Sequence, residues 1–352
     1  MPSKIILETP PTGEVNLAWG QGDSTFKLTE NDLPTLNDGD VRVKVLYLSN
    51  DPTQRGWIAA NQDASRTYFK PIEKGEIIQA RGIGKILESK SAKYAAGDYV
   101  SGSFGWADEQ VVPDSTLTLK LDPNAGLPLP TYLATLGSIG LTAYFGLKEV
   151  GKLQKGQSVL ISAASGATGS TAVQLAKHLF GASKVYGIAG SDEKARWVES
   201  LGADKCVNYK NPGWKEELAK EFETVDVYFD NVGGETLSWA LTKVTRFGRV
   251  IACGAIAGYN DPTLAKVTTW REITSNRLTV QGFIVIDFKD QFQDAIAILA
   301  KAIKEGSLKA DEAISVVDLT GEEQPLKSVP VTWHKLFTDK PRGKLLTKIG
   351  NE

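Results

Sequence analysis

The stretch that decides the fold is SVLISAASGATGSTAVQLAKHLF, residues 158–180. Its apolar run Val159–Ile161 predicts a short strand buried on both faces. A glycine-containing turn follows at residues 164–169, and apolar residues then recur at helical spacing from Val173 to Phe180. A strand, a tight turn and a helix are the setting of a dinucleotide-binding fingerprint, because N–H groups of the turn and of the helix start then face an anionic pyrophosphate.

The turn reads A-x-G-x-x-G from Ala164 to Gly169, with alanine in the place of the first glycine. We expect Gly166 to let the backbone approach the phosphates and Gly169 to let the helix pack closely on the strand. Since the chain has 34 glycines, the glycine pattern alone is a weak signal. The flanking strand and helix strengthen the prediction.

Composition bounds the class of protein. The chain has 352 residues, enough for two domains, and its net charge of −2 argues against nucleic acid or an anionic membrane as the main partner. Residues 1–11 lack the pattern of a signal peptide, and no apolar run approaches the roughly 20 residues of a membrane helix. We therefore expect a cytoplasmic globular protein with neither a membrane nor a nucleic-acid partner.

Cysteine and histidine usage limits the chemistry. The chain holds only Cys206, Cys253, His178 and His334, so a four-cysteine zinc site is excluded and no disulfide framework is expected. A catalytic zinc site would need these residues to converge, yet the cysteines fall on predicted strands and His178 on a helix flank. No G-x-S-x-G elbow occurs, which disfavours serine hydrolase chemistry. We expect no metal.

Two domains follow from the order of the predicted elements. Residues 1–130 alternate apolar and polar side chains between turn signals, which predicts an antiparallel, barrel-like β domain. Residues 131–309 repeat βα units and so predict a doubly wound parallel sheet. Residues 310–352 show little helical periodicity and one final strand near 345–349, and we expect them to return to the first domain.

Particular elements of the second domain can be placed. Strands are predicted at 184–189, 206–209, 225–229 and 249–253, with a further apolar run at 278–286. Helices are predicted at 192–201 and 236–244, and a third has an apolar face from Phe292 to Ile303 and ends at Gly306.

The choice of coenzyme depends on the tip of the second strand. A sheet that binds NAD usually places an acid there for the ribose 2′-hydroxyl, but this chain has Gly190 and Ser191. If Ser191 is a helix N-cap, its hydroxyl and Lys194 can converge on a 2′-phosphate beside the N–H groups of the helix start. This pattern favours NADP(H) over NAD(H). In the alternative, Ser191 is a plain cap, Lys194 is solvated and Asp192 replaces the missing acid.

Further segments of the chain carry a family resemblance. They are Leu48–Pro52 with Arg55, Gly137–Tyr144, Ala163–Gly169, Gly190–Lys194, Asp230–Gly234, Cys253–Ile256 and Gln281–Phe283. With the order of the domains, they resemble the zinc-independent branch of the medium-chain dehydrogenase/reductases, which includes leukotriene dehydrogenase/prostaglandin reductases and plant alkenal double-bond reductases. The resemblance covers nearly the whole chain. It implies an α/β fold with a Rossmann domain and a mostly β, GroES-like barrel domain.

The resemblance also implies a reaction and a set of contacts. The reaction is the NADPH-dependent reduction of the C=C bond of α,β-unsaturated aldehydes or ketones, carried out by a homodimer. The implied cofactor-binding residues are Ala164, Gly166, Ala167, Thr168 and Gly169 at the pyrophosphate, Gly190, Ser191 and Lys194 at the 2′-phosphate, Tyr209 at the adenosine, Asn231, Cys253, Gly254 and Ile256 along the cofactor, and Phe283 and Val285 at the nicotinamide.

Tyr259 is the candidate catalytic residue, since it matches a tyrosine on the substrate or cofactor side in relatives. When a hydride reaches the β-carbon of an enone, negative charge builds on the carbonyl oxygen, and a neutral hydroxyl donor stabilises that transition state. Tyrosine stays protonated at neutral pH and can donate there. The alternative is a loop tyrosine without a proton role, with the ribose 2′-hydroxyl as donor.

The sequence departs from the family pattern at two places. Thr53 and Gln54 stand where relatives carry an aromatic residue and a methionine, and the tail segment 339–344 lacks the expected asparagine. Four aromatic residues line a substrate pocket or belong to the β-domain core: Trp57, Tyr68, Phe69 and Trp106. Two other functions stay open: an NADPH quinone reductase and a non-catalytic NADPH-binding protein.

Overall fold

A computed structural model describes residues 1–60, 62–339 and 341–352. The chain forms two compact units. Unit 1 comprises Met1–Leu133, Ser315–Pro341 and Leu345–Glu352, and unit 2 comprises Ala134–Ile314 and Arg342–Lys344. The tail thus contributes mainly to unit 1, while a three-residue segment of it belongs to unit 2.

The described residues form strands and helices throughout both units. The strands are β1 (Ser3–Leu7), β2 (Phe26–Glu30), β3 (Asp40–Ser49), β4 (Gln79–Ser89), β5 (Tyr99–Gly105), β6 (Glu109–Pro113), β7 (Leu117–Leu121), β8 (Ser158–Ile161), β9 (Lys184–Ala189), β10 (Lys205–Asn208), β11 (Val225–Asp230), β12 (Val244–Ala252), β13 (Thr279–Gly282), β14 (Ile314–Asp318) and β15 (Lys344–Lys348). The α-helices are α1 (Gln54–Trp57), α2 (Ser138–Phe145), α3 (Ala167–Gln174), α4 (Asp192–Ser200), α5 (Trp214–Ala219), α6 (Gly234–Leu241), α7 (Arg271–Ser275), α8 (Phe292–Lys304) and α9 (Pro325–His334).

Unit 2 is built on a six-stranded parallel sheet in the order β10-β9-β8-β11-β12-β13. Numbered within the unit, the strands run 3-2-1-4-5-6, which is the order of the Rossmann dinucleotide-binding fold. The three apolar residues of β8, Val159–Ile161, are fully buried, as a parallel sheet covered on both faces requires. The chain order reverses between β8 and β11, so a crevice is expected beyond their carboxyl ends.

Unit 1 contains a seven-stranded sheet in the order β14-β15-β3-β4-β5-β7, with β6 also paired to β3. Its strand pairs from β15 through β7 and the β3–β6 pair are antiparallel, and β1 and β2 form a second small antiparallel sheet. Its core includes the rings of Phe26, Trp106 and Trp333, whose centroids lie 5.5 to 6.1 Å apart. Trp106 is 1% exposed and therefore belongs to the core. The predicted fold class, a doubly wound sheet with a mostly β domain, is confirmed.

Three elements differ from the sequence-based expectation. The helix predicted over 236–244 ends at Leu241, because Val244 already pairs with Val225 at the start of β12. That strand ends at Ala252, so Cys253 lies just beyond it. The tail, for which little helical period was expected, contains α9.

Helix α9 escapes a reading of the sequence because Pro325 begins it and Pro330 interrupts it, and proline inside a helix removes a hydrogen bond. Tertiary packing compensates for this cost, because Leu326, Val329 and Trp333 are all buried in the core of unit 1.

Candidate functional site

The predicted site residues converge on one edge of the unit 2 sheet. Parallel strands end at the same edge, and each predicted position follows the carboxyl end of a strand. The positions are 164–169 after β8, Gly190, Ser191 and Lys194 after β9, Tyr209 after β10, Asn231 after β11, Cys253, Gly254, Ile256 and Tyr259 after β12, and Phe283 and Val285 after β13.

The fingerprint turn joins β8 to α3 by close backbone packing. A Cβ on Gly169 would lie 2.2 Å from the carbonyl oxygen of Ala163 and 2.8 Å from Cα of Ala164, so only glycine lets α3 approach this turn. The N–H of Ala164 donates to the Ile188 carbonyl at 2.9 Å and ties the turn to β9.

Gly166 is the N-cap of α3 and has no side chain with which to cap the helix. The first turn of α3, which begins with Ala167 and Thr168, contains no acidic residue. A helix start without a side-chain cap presents N–H donors and a positive dipole end, and this arrangement fits an anionic pyrophosphate.

The start of α4 is built differently. Ser191 is its N-cap, and the serine Oγ accepts a hydrogen bond from the N–H of Lys194 at 3.2 Å. The Asp192 carboxylate accepts hydrogen bonds from the side-chain amides of Asn208, at 3.0 Å, and Asn211, at 2.8 Å. These hydrogen bonds hold the pKa of Asp192 below its usual value. The engagement of Asp192 with two amides weighs against its replacing the missing ribose-binding acid.

Tyr209 lies directly beside Gly190. A Cβ on Gly190 would lie 3.3 Å from Cε1 of Tyr209, and the N–H of Tyr209 donates to the Ala189 carbonyl at 3.0 Å. The tyrosine is 38% exposed. An aromatic face is therefore held close to the start of α4, where an adenosine is expected.

Asp230 organises the loop after β11, and sequence reasoning did not single it out. Its buried carboxylate accepts hydrogen bonds from the Tyr228 hydroxyl at 2.8 Å and from the N–H groups of Val232 and Gly233. Burial raises the pKa of this carboxyl. The sequence feature that could have identified Asp230 is its position at the end of a buried strand, directly before Asn231.

The loops after β8, β11 and β12 are joined by further hydrogen bonds. The backbone N–H of Asn231 donates to Ser162 Oγ at 2.9 Å, and its side-chain amide donates to the Ser162 carbonyl at 2.8 Å. The N–H groups of Cys253 and Gly254 both donate to the main-chain carbonyl of Asp230, at 2.9 and 3.1 Å. These bonds hold Asn231 and the Cys253–Ile256 turn in one rigid arrangement.

The turn that carries Tyr259 packs against Asn231. The N–H of Ile256 donates to the Asn231 carbonyl at 3.3 Å, and a short 3₁₀ turn, Ile256–Gly258, leads to Tyr259. A Cβ on Gly254 would lie 3.7 Å from the Tyr259 hydroxyl oxygen, so this hydroxyl lies close to Gly254. Burial raises the pKa of the Cys253 thiol to about 12, and a protonated thiol is a poor nucleophile at neutral pH.

Phe283 and Val285 follow the outermost strand, β13. A Cβ on Gly146 would lie 3.1 Å from Cζ of Phe283, so the ring packs against the end of α2. Phe283 also contacts Phe288, with ring centroids 6.3 Å apart. Val285 begins the helical turn Val285–Gln291 and is half-buried. These two residues are thus placed at the same sheet edge as the turn that carries Tyr259.

In unit 1, the structure explains one of the residues that depart from the family pattern, Gln54, and places the aromatic residues named above. Gln54 is 1% exposed, accepts the N–H of Asp51 at 2.8 Å and donates to the Gln79 carbonyl at 2.9 Å, so it supports the loop. Trp57 and Phe69 have ring centroids 5.9 Å apart, and Tyr68, which is 52% exposed, contacts Phe69 at 5.2 Å. These three aromatic residues contact one another, and Trp57 also packs against the core cluster that contains Trp106.

The tail segment holds contacts that sequence reasoning missed. Lys340 lies outside the described residues, but the N–H of Gly343 donates to the Ser165 carbonyl at 2.9 Å and Gly343 pairs with Gly166. The Arg342 guanidinium lies 3.4 Å from the Glu193 carboxylate. The only sequence feature that pointed to this segment was its departure from the family pattern.

The cysteines and histidines have structural surroundings. Cys206 is buried in β10, and the His178 ring lies 3.2 Å from the Leu201 carbonyl. His334, in α9, lies 3.7 Å from the Glu14 carboxylate. Across residues 1–60, 62–339 and 341–352, no three His, Cys, Asp or Glu side chains are grouped in a way that could hold a metal ion.

Two family models match the chain. The model described as zinc-binding dehydrogenase matches residues 167–301, and the model described as N-terminal domain of oxidoreductase matches residues 4–119. Together they cover most of both units.

Similar proteins span nearly the full length of the chain. Prostaglandin reductase 1 of Bos taurus is 35% identical over 93% of this chain and 94% of its own length. A Saccharomyces cerevisiae protein, named as an uncharacterized membrane protein, is 38% identical over 99% of this chain and 98% of its own. The crystal structure of CurA from Vibrio vulnificus in complex with NADPH is 26% identical, covers 99% of this chain and 100% of its own, and has a TM-score of 0.85. In the described part of this chain, no helix has both the length and the apolar composition needed to cross a membrane.

Proposed function

The chain belongs to the medium-chain dehydrogenase/reductase family, in its zinc-independent prostaglandin reductase branch, and from this premise we propose that it is an NADPH-dependent reductase of C=C bonds conjugated to an aldehyde or ketone. The coarser activity, an NADP-dependent oxidoreductase, follows from the family. The observation that carries the finer proposal is the arrangement of Tyr259 beside Gly254, at the sheet edge that also holds the fingerprint turn.

The residues at this edge fit NADPH. Gly166 and the first turn of α3 would hold the pyrophosphate, Ser191 and Lys194 the 2′-phosphate, and Tyr209 the adenosine. Asn231 and the turn from Cys253 to Ile256 would line the middle of the cofactor. Phe283 and Val285 would flank the nicotinamide. When bound, the reduced nicotinamide supplies a hydride.

Tyr259 would act on the substrate carbonyl. Addition of a hydride at the β-carbon moves negative charge onto the carbonyl oxygen. A hydrogen bond donated by the tyrosine hydroxyl to that oxygen stabilises the transition state more than the ground state. The neutral phenol can also pass a proton to that oxygen, or a water molecule can protonate the α-carbon later. The Cys253 thiol, held protonated by burial, would not add to the electrophilic alkene.

The test is NADPH oxidation by the purified protein with trans-2-alkenals, an aryl enone and a simple quinone, with NADH as the coenzyme control. Turnover of enones to saturated carbonyl products supports the proposal. Turnover of quinones alone would identify a quinone reductase. Tight NADPH binding without turnover on any of them would identify a cofactor-binding protein.

The role of Tyr259 has its own test. We expect Tyr259→Phe to lower kcat for an enone by about 10²-fold, which is the lower range for loss of a proton donor, with the Kd of NADPH unchanged. An unchanged kcat would exclude the donor role. Tyr186→Phe, which removes a hydroxyl that donates to the Glu221 carbonyl from within β9, serves as the matched control.

We also propose a cytoplasmic homodimer. All four residues of β13 are exposed, and the strand ends the described sheet of unit 2. Val280 of this strand is exposed, and so are three large apolar side chains outside it: Leu264, Trp270 and Ile286. An exposed edge strand presents unpaired N–H and C=O groups with which a second copy can pair. Sedimentation velocity of the purified protein and of Val280→Lys, together with cell fractionation, tests both statements.

A further inference from the structure

Two tail residues, Arg342 and Gly343, lie beside the loops that follow β8 and β9 in unit 2. The N–H of Gly343 donates to the carbonyl of Ser165, and Gly343 pairs with Gly166 of the fingerprint turn. Gly343 has φ of 62°, and a Cβ there would lie 2.1 Å from the carbonyl oxygen of Ala313. A larger residue would clash with this backbone, so glycine permits the close approach and the hydrogen bond to Ser165 holds the tail beside the turn. The position of the preceding residue, Arg342, is thereby fixed as well.

The side chain of that arginine reaches the first turn of α4. One guanidinium nitrogen of Arg342 lies 3.4 Å from the Glu193 carboxylate, and its guanidinium carbon lies 5.6 Å from the centre of the Trp197 ring. Glu193 and Trp197 are four residues apart and so share one face of the helix. The guanidinium is therefore held by a charge and by an aromatic face at once.

The acidic residues in the first turn of α4 have opposite effects on the helix and on a bound 2′-phosphate. Asp192 and Glu193 directly follow the N-cap, where carboxylates stabilise a helix through its dipole. The same turn is the proposed site of the 2′-phosphate, which like charges repel. The amides that bond Asp192 are neutral and leave its charge in place. For Glu193, Arg342 supplies an opposite charge.

We propose that Arg342 is a specificity-determining residue for NADP, acting through Glu193. Its pairing with Glu193 removes a repulsion that a 2′-phosphate would meet and that NAD, without this phosphate, would not. The inference rests on the proposed 2′-phosphate site at Ser191 and Lys194. It makes Arg342 a positioning residue, since it acts on the charge of Glu193 and not on the coenzyme directly.

The experiment is a double-mutant cycle read by isothermal titration calorimetry with NADP⁺ and NAD⁺ at low ionic strength. The proteins are the parent, Arg342→Gln, Glu193→Gln and the double variant. We expect Arg342→Gln to raise the Kd of NADP⁺ about fivefold, a size that fits partly screened charges at a surface. The Kd of NAD⁺ should change less than about twofold. The double variant should return to the parent affinity, and Arg342→Lys should keep most of it.

Each other outcome overturns a defined statement. An equal loss for NADP⁺ and NAD⁺ would show that Arg342 only supports the structure. A loss that persists in the Glu193→Gln background would remove Glu193 from the explanation. If the parent itself does not prefer NADP⁺, the proposed 2′-phosphate site fails, and this inference fails with it. Thermal unfolding of each variant checks that all are folded.

Discussion

The helices that follow β8 and β9 reach the same sheet edge but begin in opposite ways. Helix α3 starts at Gly166, with no side-chain cap and no acid in its first turn. Helix α4 starts at Ser191, whose Oγ accepts a backbone N–H, and its first turn carries two acids. The first start offers main-chain donors to an anion, whereas the second offers side chains. Substitutions should therefore act through backbone geometry at α3 and through charge and capping at α4.

The largest effect is expected at the close contact of α3. Gly169→Ala would place a Cβ 2.2 Å from the Ala163 carbonyl oxygen, so the helix must move. Overpacking of this kind costs about 1–3 kcal/mol, and we expect NADPH affinity to fall at least about tenfold as well. Thermal unfolding and calorimetry measure the two effects. Gly321→Ala, where a Cβ meets nothing within 4 Å, is the control. Native stability and affinity in Gly169→Ala would contradict the packing argument.

The second effect separates the coenzymes. Lys194→Ala should raise the Kd of NADPH by about 10- to 100-fold, because a hydrogen bond to a charged group contributes about 1.5–3 kcal/mol. The Kd of NADH should stay the same. Lys304→Ala removes an exposed cation from α8, outside this helix turn, and provides the control. If NADPH and NADH weaken equally, Lys194 does not read the 2′-phosphate.

The third effect divides capping from coenzyme choice at one position. Ser191→Ala removes the cap and should lower the free energy of unfolding by about 1 kcal/mol. Ser191→Asp keeps a capping oxygen but adds a negative charge, so stability should be retained while the preference shifts from NADPH toward NADH. Urea unfolding and the two Kd values are the measurements. An aspartate variant that binds NADPH as the parent does would refute the 2′-phosphate role of this cap.

The smallest effect concerns pH. The pKa of Asp192 is lowered in the folded protein by the amides of Asn208 and Asn211, so between the folded and the unfolded pKa the unfolded chain binds more protons. The stabilisation of the folded state by these hydrogen bonds is complete above the ordinary aspartate pKa of about 3.9. It is lost as pH falls through the lower pKa of the folded protein. Asp192→Asn should therefore be less stable than the parent at neutral pH and equal to it in strong acid. Urea midpoints at both pH values test this, with Asp290→Asn as the control. A difference that persists in strong acid would contradict it.

Local patterns determined much of unit 2. The apolar run at β8, the glycine turn and the helical spacing after it predicted the Rossmann unit, because each lies within about twenty residues and depends on local geometry. Strand β9, Lys184–Ala189, begins and ends where the sequence placed it. Ser191 could be predicted as an N-cap for the same reason: a capping bond spans only three residues.

Tertiary structure alone decided the contacts between segments distant in sequence. Helix α9 contains Pro330, and it is stabilised by burial of Leu326, Val329 and Trp333 that no local pattern supplies. Asp230 organises its loop because it is buried and accepts hydrogen bonds from Ser162 after β8, from Val232 and Gly233 after β11, and at its main-chain carbonyl from the turn after β12. Arg342 reaches Glu193 across 149 positions of sequence, because the hydrogen bond of Gly343 to Ser165 fixes the tail beside the turn. Sequence patterns specify short-range geometry, whereas pairing of charges from separate segments follows from chain topology.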